Sequence, residues 1–176
     1  MAQPRDEWIG HAFLIVNSYG GHAELSCLPQ IDKAAFDFWK TFHTLRFQTT
    51  ICYNRTRREF DSDILAFIQR VAQDASAKYV VFFFLGHGGA GDTLYLQDGS
   101  SVTVKEIDDT FSCLESKYRI LIIDACRGQG VVHEQGGHCP KYSNTLLARS
   151  TLPHQVAWGE DGYGRQDLQK DNCYTS

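Results

Sequence analysis

Two side chains, distant in the chain, carry the candidate chemistry: His87 in Leu85-Gly86-His87-Gly88-Gly89 and Cys126 in Asp124-Ala125-Cys126-Arg127-Gly128. Each follows a short apolar run, Phe82-Phe83-Phe84 or Ile120-Leu121-Ile122-Ile123, and each is flanked by glycine. A thiol must lose its proton before it attacks a carbonyl, and an adjacent imidazole is the ordinary means at neutral pH. Gly88 has no side chain, so its N–H can approach a substrate oxygen. Together with the N–H of Cys126 it makes a candidate oxyanion hole, a feature worth ~3 kcal/mol per donor. Taken singly, Cys126 reads as a buried structural thiol and His87 as a loop residue capping a carbonyl. Taken together at two strand ends, they point to nucleophilic catalysis.

Such apolar runs fit buried parallel strands covered on both faces. In open α/β sheets the loops at the carboxyl ends of strands hold the chemistry. The remaining elements follow the same logic. His11 to Asn17 reads as a first strand, with a Gly/Ser loop from Ser18 to Gly21. Ile31, Ala34, Ala35, Phe38, Phe42 and Leu45 recur at helical spacing. Phe47 to Tyr53 is a second strand. Thr56-Arg57-Arg58-Glu59 has capping-box spacing ahead of Phe60, Ile64, Phe67, Ile68 and Val71. Tyr79 to Leu85 is a third strand. Thr93–Leu96 and Ser101–Val104 flank Asp98-Gly99 and predict a small hairpin. A short helix follows over Lys105 to Leu114, then strands over Arg119 to Ile123 and Thr145 to Arg149. This order predicts an α/β three-layer sandwich: a mainly parallel sheet, helices on both faces, and a small β-hairpin. One domain spans 1–176, with its core at about 9–165, an exposed Gly-, His- and Gln-rich loop at 128–143, and a tail at 166–176.

Composition narrows the function classes. The chain has 176 residues, 43% hydrophobic and 22% charged, enough for one substantial core. A net charge of -4 gives no nucleic-acid footprint, and the cluster Arg55, Arg57 and Arg58 reads as a solvated helix start. The charged amino terminus has no apolar signal core, and no apolar run is long enough to span a membrane. Six cysteines (27, 52, 113, 126, 139 and 173) form no CxxC pair, so a reduced, cytoplasmic protein is expected. Asn54-Arg55-Thr56 is then a chance sequon. His133, His138 and Cys139 lack a fourth ligand at zinc spacing, so no metal is expected. Gly86-His87-Gly88-Gly89-Ala90-Gly91 fits the dinucleotide fingerprint only if a helix opens directly after it. A hairpin is predicted there, so no cofactor is expected either.

Asp124-Ala125-Cys126-Arg127-Gly128 resembles the nucleophile motif of the caspase superfamily, and Leu85-Gly86-His87-Gly88 resembles its histidine motif. The resemblance runs over roughly residues 10 to 165. It takes in Ile31-Asp32-Lys33-Ala34 at the first helix and Ser150-Thr151-Leu152-Pro153 through Trp158 after the fifth strand. It implies a cysteine endopeptidase acting on protein or peptide substrates through a dyad of Cys126 and His87. It also implies pairing as a homodimer or as a heterodimer with another caspase-like chain.

The sequence departs from true caspases near the nucleophile. They place Gln two residues before the cysteine and use an Arg ahead of the first helix to bind aspartate at P1. Here the first position is Asp124, and Glu24 to Gln30 contains no Arg. The acid two before Cys and the Gly-His-Gly motif resemble metacaspases and paracaspases, which cleave after Arg or Lys. An acidic S1 floor attracts a cationic P1 side chain and repels an aspartate. Asp32 is similar in position to a second acidic S1 residue of those families, and reads equally as a helix N-cap or first-turn acid. Asp161 is a third S1 candidate or an exposed turn residue. No Asp lies between Asp124 and Asp161, whereas Lys141 lies in the loop, so self-cleavage there is expected after a basic residue. The chain is expected to open on its catalytic domain and to be shortened in its carboxyl-terminal part. That shortening leaves open a catalytically silent caspase-like module regulating an active relative, and a caspase cleaving after Asp is a further alternative.

Overall fold

A computed structural model describes residues 8–114, 116–125, 140 and 144–150. Cys126, Asp161, the 166–176 tail and all of the 128–143 loop except Pro140 lie outside them, as do His133, His138, Cys139 and Lys141.

In chain order, β1 (Gly10–Val16) leads through a long loop to α1 (Ile31–Thr44), and β2 (Phe47–Tyr53) leads to α2 (Arg57–Gln73). Then come β3 (Tyr79–Leu85), the two-residue β4 (Gly88–Gly89), a 3-10 turn over Ala90–Asp92, β5 (Thr93–Tyr95) and β6 (Ser101–Thr103). α3 (Val104–Phe111), a 3-10 turn over Ser112–Leu114, β7 (Tyr118–Asp124) and β8 (Thr145–Arg149) complete the described elements.

The five long strands form one sheet, β2-β1-β3-β7-β8, with every neighbouring pair parallel. Parallel neighbours need crossovers, and α1, α2 and α3 supply those among β1, β2, β3 and β7, on both faces. On one face α2 and α3 pack Phe60, Ile64, Phe67, Ile107 and Phe111 against Phe13, Phe82, Phe84, Leu121 and Ile123. On the other, Ile31, Ala35 and Phe42 of α1 meet Leu14, Val81, Phe83 and Leu85. Each such fully buried apolar side chain contributes about 1.5–3 kcal/mol. The expected three-layer sandwich is therefore present.

The helices begin where local chemistry allows. Glu59 Oε2 accepts from the Thr56 N–H at 3.0 Å and Thr56 Oγ1 accepts from the Glu59 N–H at 3.4 Å, closing the expected capping box of α2. α3 has a second box, Thr103 with Glu106, which the sequence reading missed because it counted Val104 as strand. Its helix then gives way to the Ser112–Leu114 turn rather than running on to Leu114.

The predicted hairpin is a three-stranded antiparallel meander, β4-β5-β6, and its first strand is the glycine pair beside His87. Gly99 turns the β5–β6 connection at φ +77, with its N–H donating to the Leu96 carbonyl. Arg57 pins this meander to the start of α2: its backbone N–H donates to Asp98 Oδ2 at 3.2 Å and its Nη1 donates to the Ser101 carbonyl at 2.7 Å. Arg55 and Arg57 are ion-paired with Asp63 and Asp61 at the half-exposed start of α2, and Arg58 is exposed. No helix among the described residues is long and apolar enough to cross a membrane.

Candidate active site

The register of β3 and β7 fixes how the two motifs are offset. Leu85 pairs with Asp124, and the Gly86 N–H donates to the Asp124 carbonyl at 3.2 Å. His87 therefore lies two residues beyond this register pair, and Leu85 and Asp124 end neighbouring strands about 4.8 Å apart. Gly86 is required at the exit from β3, because a Cβ there would meet the Tyr19 hydroxyl at 2.6 Å and the Phe84 ring at 3.1 Å. Beyond it the chain runs through β4 and a 3-10 turn into β5, not into a helix. The dinucleotide fingerprint thus lacks the helix N-terminus it needs.

The half-buried imidazole of His87 has its Nε2 at 2.7 Å from the carbonyl oxygen of Ser26. A carbonyl oxygen only accepts, so Nε2 carries a proton, and in the neutral imidazole Nδ1 is the basic nitrogen. Ser26 Oγ lies at 3.2 Å from the same Nε2. The sequence assigned no orienting group for His87; the structure supplies one from the backbone, where no residue type marks it. The loop carrying Ser26 is itself held. The Leu28 N–H donates to the Ser18 carbonyl at 2.8 Å, and the Ser18 N–H donates to Asn54 Oδ1 at 2.8 Å. His22 Nδ1 accepts from the N–H groups of Glu24 and Leu25. Tyr19 lies under the imidazole, ring centroids 4.6 Å apart. These groups come from the carboxyl ends of β1, β2 and β3, the edge where an open α/β sheet places its chemistry.

Gly88 registers opposite Leu94, while the neighbouring rung is the Tyr95 N–H donating to the His87 carbonyl at 3.0 Å. Rungs alternate in an antiparallel ladder, so the Gly88 N–H is directed away from β5. Past it, Arg149 at the end of β8 grips the Asp92 carboxylate with Nη2 at 2.8 Å and Nε at 3.3 Å. That pair ties the last described strand to the turn after β4.

Among the acidic candidates, Asp124 is half-buried at the end of β7. Strand alternation puts it on the face of Ile120 and Ile122, the face that α1 covers. Asp32 is an exposed first-turn acid of α1, with Gln30 in the N-cap position. Its charge, after burial, raises the pKa of the Tyr53 hydroxyl at the end of β2. Asp32 and Asp124 therefore share a face and an end of the sheet. They come from different elements, Asp32 from the first turn of α1 and Asp124 from the end of β7. Cys126 and Asp161 lie outside the described residues.

The thiols depart from expectation at one point. Cys52 is a buried free thiol, pushed up to about 11 chiefly by burial, and Cys113 is an exposed one. Cys27, directly after Ser26, is disulfide-bonded, so the reading of a fully reduced chain does not hold there.

The family model described as "Caspase domain" matches residues 9–166. Among solved structures, caspase-1 from Spodoptera frugiperda superposes with a TM-score of 0.66 at 22% identity. That match covers 86% of this chain and 64% of the caspase-1 chain, so this chain spans less than two thirds of that relative's length. No curated protein matches.

Proposed function

The chain belongs to the caspase-domain family, and from that premise we propose that it is a cysteine endopeptidase cleaving proteins after Arg or Lys. The observation that carries the reading is the 2.7 Å contact between His87 Nε2 and the Ser26 carbonyl. In the neutral imidazole that contact puts the proton on Nε2 and leaves Nδ1 as the nitrogen that can act as a base at the carboxyl edge of the sheet. In the proposed sequence, His87 Nδ1 takes the proton of the Cys126 thiol, and the thiolate attacks the scissile carbonyl. The N–H groups of Gly88 and Cys126 receive the developing oxyanion, each worth ~3 kcal/mol. The imidazolium then gives its proton to the leaving amine as the C–N bond breaks, forming a thioester on Cys126. Water, deprotonated by His87, hydrolyses that thioester and restores the thiol.

Asp124 is the proposed floor of S1, favouring a cationic P1 side chain by a charge-assisted hydrogen bond. Asp32 and Asp161 are proposed as further acids of the same pocket. Protein substrates, and pairing with a second caspase-like chain, follow from the family resemblance.

A positional-scanning set of fluorogenic peptides on the purified full-length chain tests this. The expected result is hydrolysis after Arg or Lys that Cys126→Ala abolishes. Cleavage confined to Asp would overturn the S1 assignment. No turnover, together with tight binding to an active caspase-like protease, would replace the enzyme with a regulatory module.

A further inference from the structure

Tyr19 sits in a place that the peptidase motifs do not require. It is fully buried although it stems from the Ser18–Gly21 loop, and its backbone adopts φ +58, a region a bulky residue enters at a cost. Its hydroxyl accepts from the His87 N–H at 2.9 Å and donates to the Tyr95 carbonyl at 2.6 Å. The partner rung, the Tyr95 N–H to the His87 carbonyl, is made directly at 3.0 Å. In an antiparallel pair the second rung joins the His87 N–H to the Tyr95 carbonyl. Here both of those atoms bond to the Tyr19 oxygen instead, so the hydroxyl is inserted into the ladder. Its ring then lies 4.6 Å from the imidazole at 34°. Its own N–H donates to Gln97 Oε1 at 3.0 Å, and Gln97 Nε2 donates to the Gly20 carbonyl at 3.3 Å, which anchors the loop to the meander from the other side.

Resting on the peptidase reading above, we infer that the Tyr19 hydroxyl is a positioning group for His87, setting the imidazole against the Ser26 carbonyl and so fixing its Nε2–H tautomer. Both partners of that contact depend on it. The backbone of His87 hangs from the hydroxyl, and Tyr19 belongs to the same β1–α1 loop that carries Ser26. Burial raises the hydroxyl's pKa well above the ordinary tyrosine value, although the His87 N–H lowers it, so the group stays an O–H throughout the working range. The absence of a side chain at Gly86 has the same cause: a methyl group there would lie 2.6 Å from this oxygen.

The test uses the full chain with ¹⁵N-labelled histidine, comparing wild type, Tyr19→Phe and Tyr19→Leu. In the wild type the His87 imidazole nitrogens report the Nε2–H tautomer and the His87 amide proton is shifted downfield by its bond. With Tyr19→Phe the ring remains and the hydroxyl is gone. The expected result is a mixed tautomer, an upfield amide, and kcat on Arg or Lys peptides lower by about tenfold with KM within about twofold. If Tyr19→Phe keeps the wild-type tautomer, the inference is wrong whatever happens to turnover. A loss seen only in Tyr19→Leu would assign the effect to the ring and overturn the role of the hydroxyl. If the wild type cleaves nothing while Tyr19→Phe still shifts the tautomer, the positioning role stands and the peptidase reading fails. Should Tyr19→Phe not fold, Gly86→Ala displaces the hydroxyl without removing it and must give the same tautomer change.

Discussion

Replacing Asp74 isolates a single polar anchor at the end of the sheet opposite His87. Oδ1 of Asp74 accepts from the Ser76 hydroxyl at 2.6 Å and from the N–H groups of Ser76 and Ala77 at 3.0 and 3.2 Å. Oδ2 accepts from His11 Nε2 at 2.8 Å, and His11 is only 1% exposed in the middle of the sheet. Asp74→Ala strands that donor, because His11 Nδ1 is already buried without a partner among the described residues and a tautomer swap recovers nothing. An orphaned buried donor costs about 1–3 kcal/mol, and losing the turn adds about 1 kcal/mol. The sum is about 2–4 kcal/mol, or a melting point lower by on the order of 10 °C for a domain of this size.

Asp74→Asn adds a test of sign. The hydrogen bonds from Ser76 and then His11 hold the Asp74 carboxyl well below the usual carboxylate range, against the opposing effect of burial. A depressed carboxyl contributes stability that is fully present above its unfolded value, about 3.9, and is lost as pH falls toward the folded one. In urea unfolding the gap between wild type and Asp74→Asn is therefore constant from about pH 7 to about pH 5 and narrows below about pH 4. A gap that ignores pH, or an Asp74→Ala cost under about 0.5 kcal/mol, refutes the reasoning. Peptide hydrolysis at a permissive temperature should be unchanged.

Ser26→Ala keeps the carbonyl at 2.7 Å and removes only the hydroxyl contact at 3.2 Å, so kcat/KM should stay within about threefold; a loss beyond about tenfold makes the hydroxyl the anchor. Asp124→Asn removes the proposed S1 charge, and kcat/KM on Arg and Lys peptides should fall about 10- to 100-fold, while an unaltered basic preference removes Asp124 from S1. Phe67 is 1% exposed, stacks on Phe13 at 4.9 Å and meets Phe111 at 6.1 Å, so Phe67→Ala should cost about 3–5 kcal/mol in urea unfolding. A cost below about 1.5 kcal/mol would mean that the core closes over the cavity.

What the sequence made legible were features repeated in side-chain type. The runs in β3 and β7 are apolar throughout because both faces are covered, and Thr56 with Glu59 writes its own capping box. Where a backbone atom or a single residue does the work, no pattern forms. The Ser26 carbonyl has no residue identity. Gly88–Gly89 offers no alternation, so β4 was invisible, and with it the third strand of the meander. Tyr19 is one aromatic in a Gly/Ser loop, and only the fold shows that its oxygen replaces a ladder bond. Val104 alternates with Val102 and so read as strand, although Thr103 caps the helix that Val104 begins. Asp32 and Asp124 could be matched to a motif, but that α1 covers the face of the sheet to which Asp124 belongs is a property of strand order and crossover, which residue types along the chain do not reveal.

The place of β1 bears on how this polypeptide is made. Of the five strands in the sheet it is synthesised first and it is buried along its whole length, yet its two neighbours are β2 and β3. Val16 has no partner on its second flank until Leu85 has been synthesised. Until then a ribbon of Phe13, Leu14, Ile15 and Val16 stays open to other chains. Distant pairings of this kind are slow to form and leave nascent intermediates prone to aggregate. Chains truncated ahead of β3 should therefore precipitate on synthesis, and yield should improve when translation is slowed or a holding chaperone is supplied.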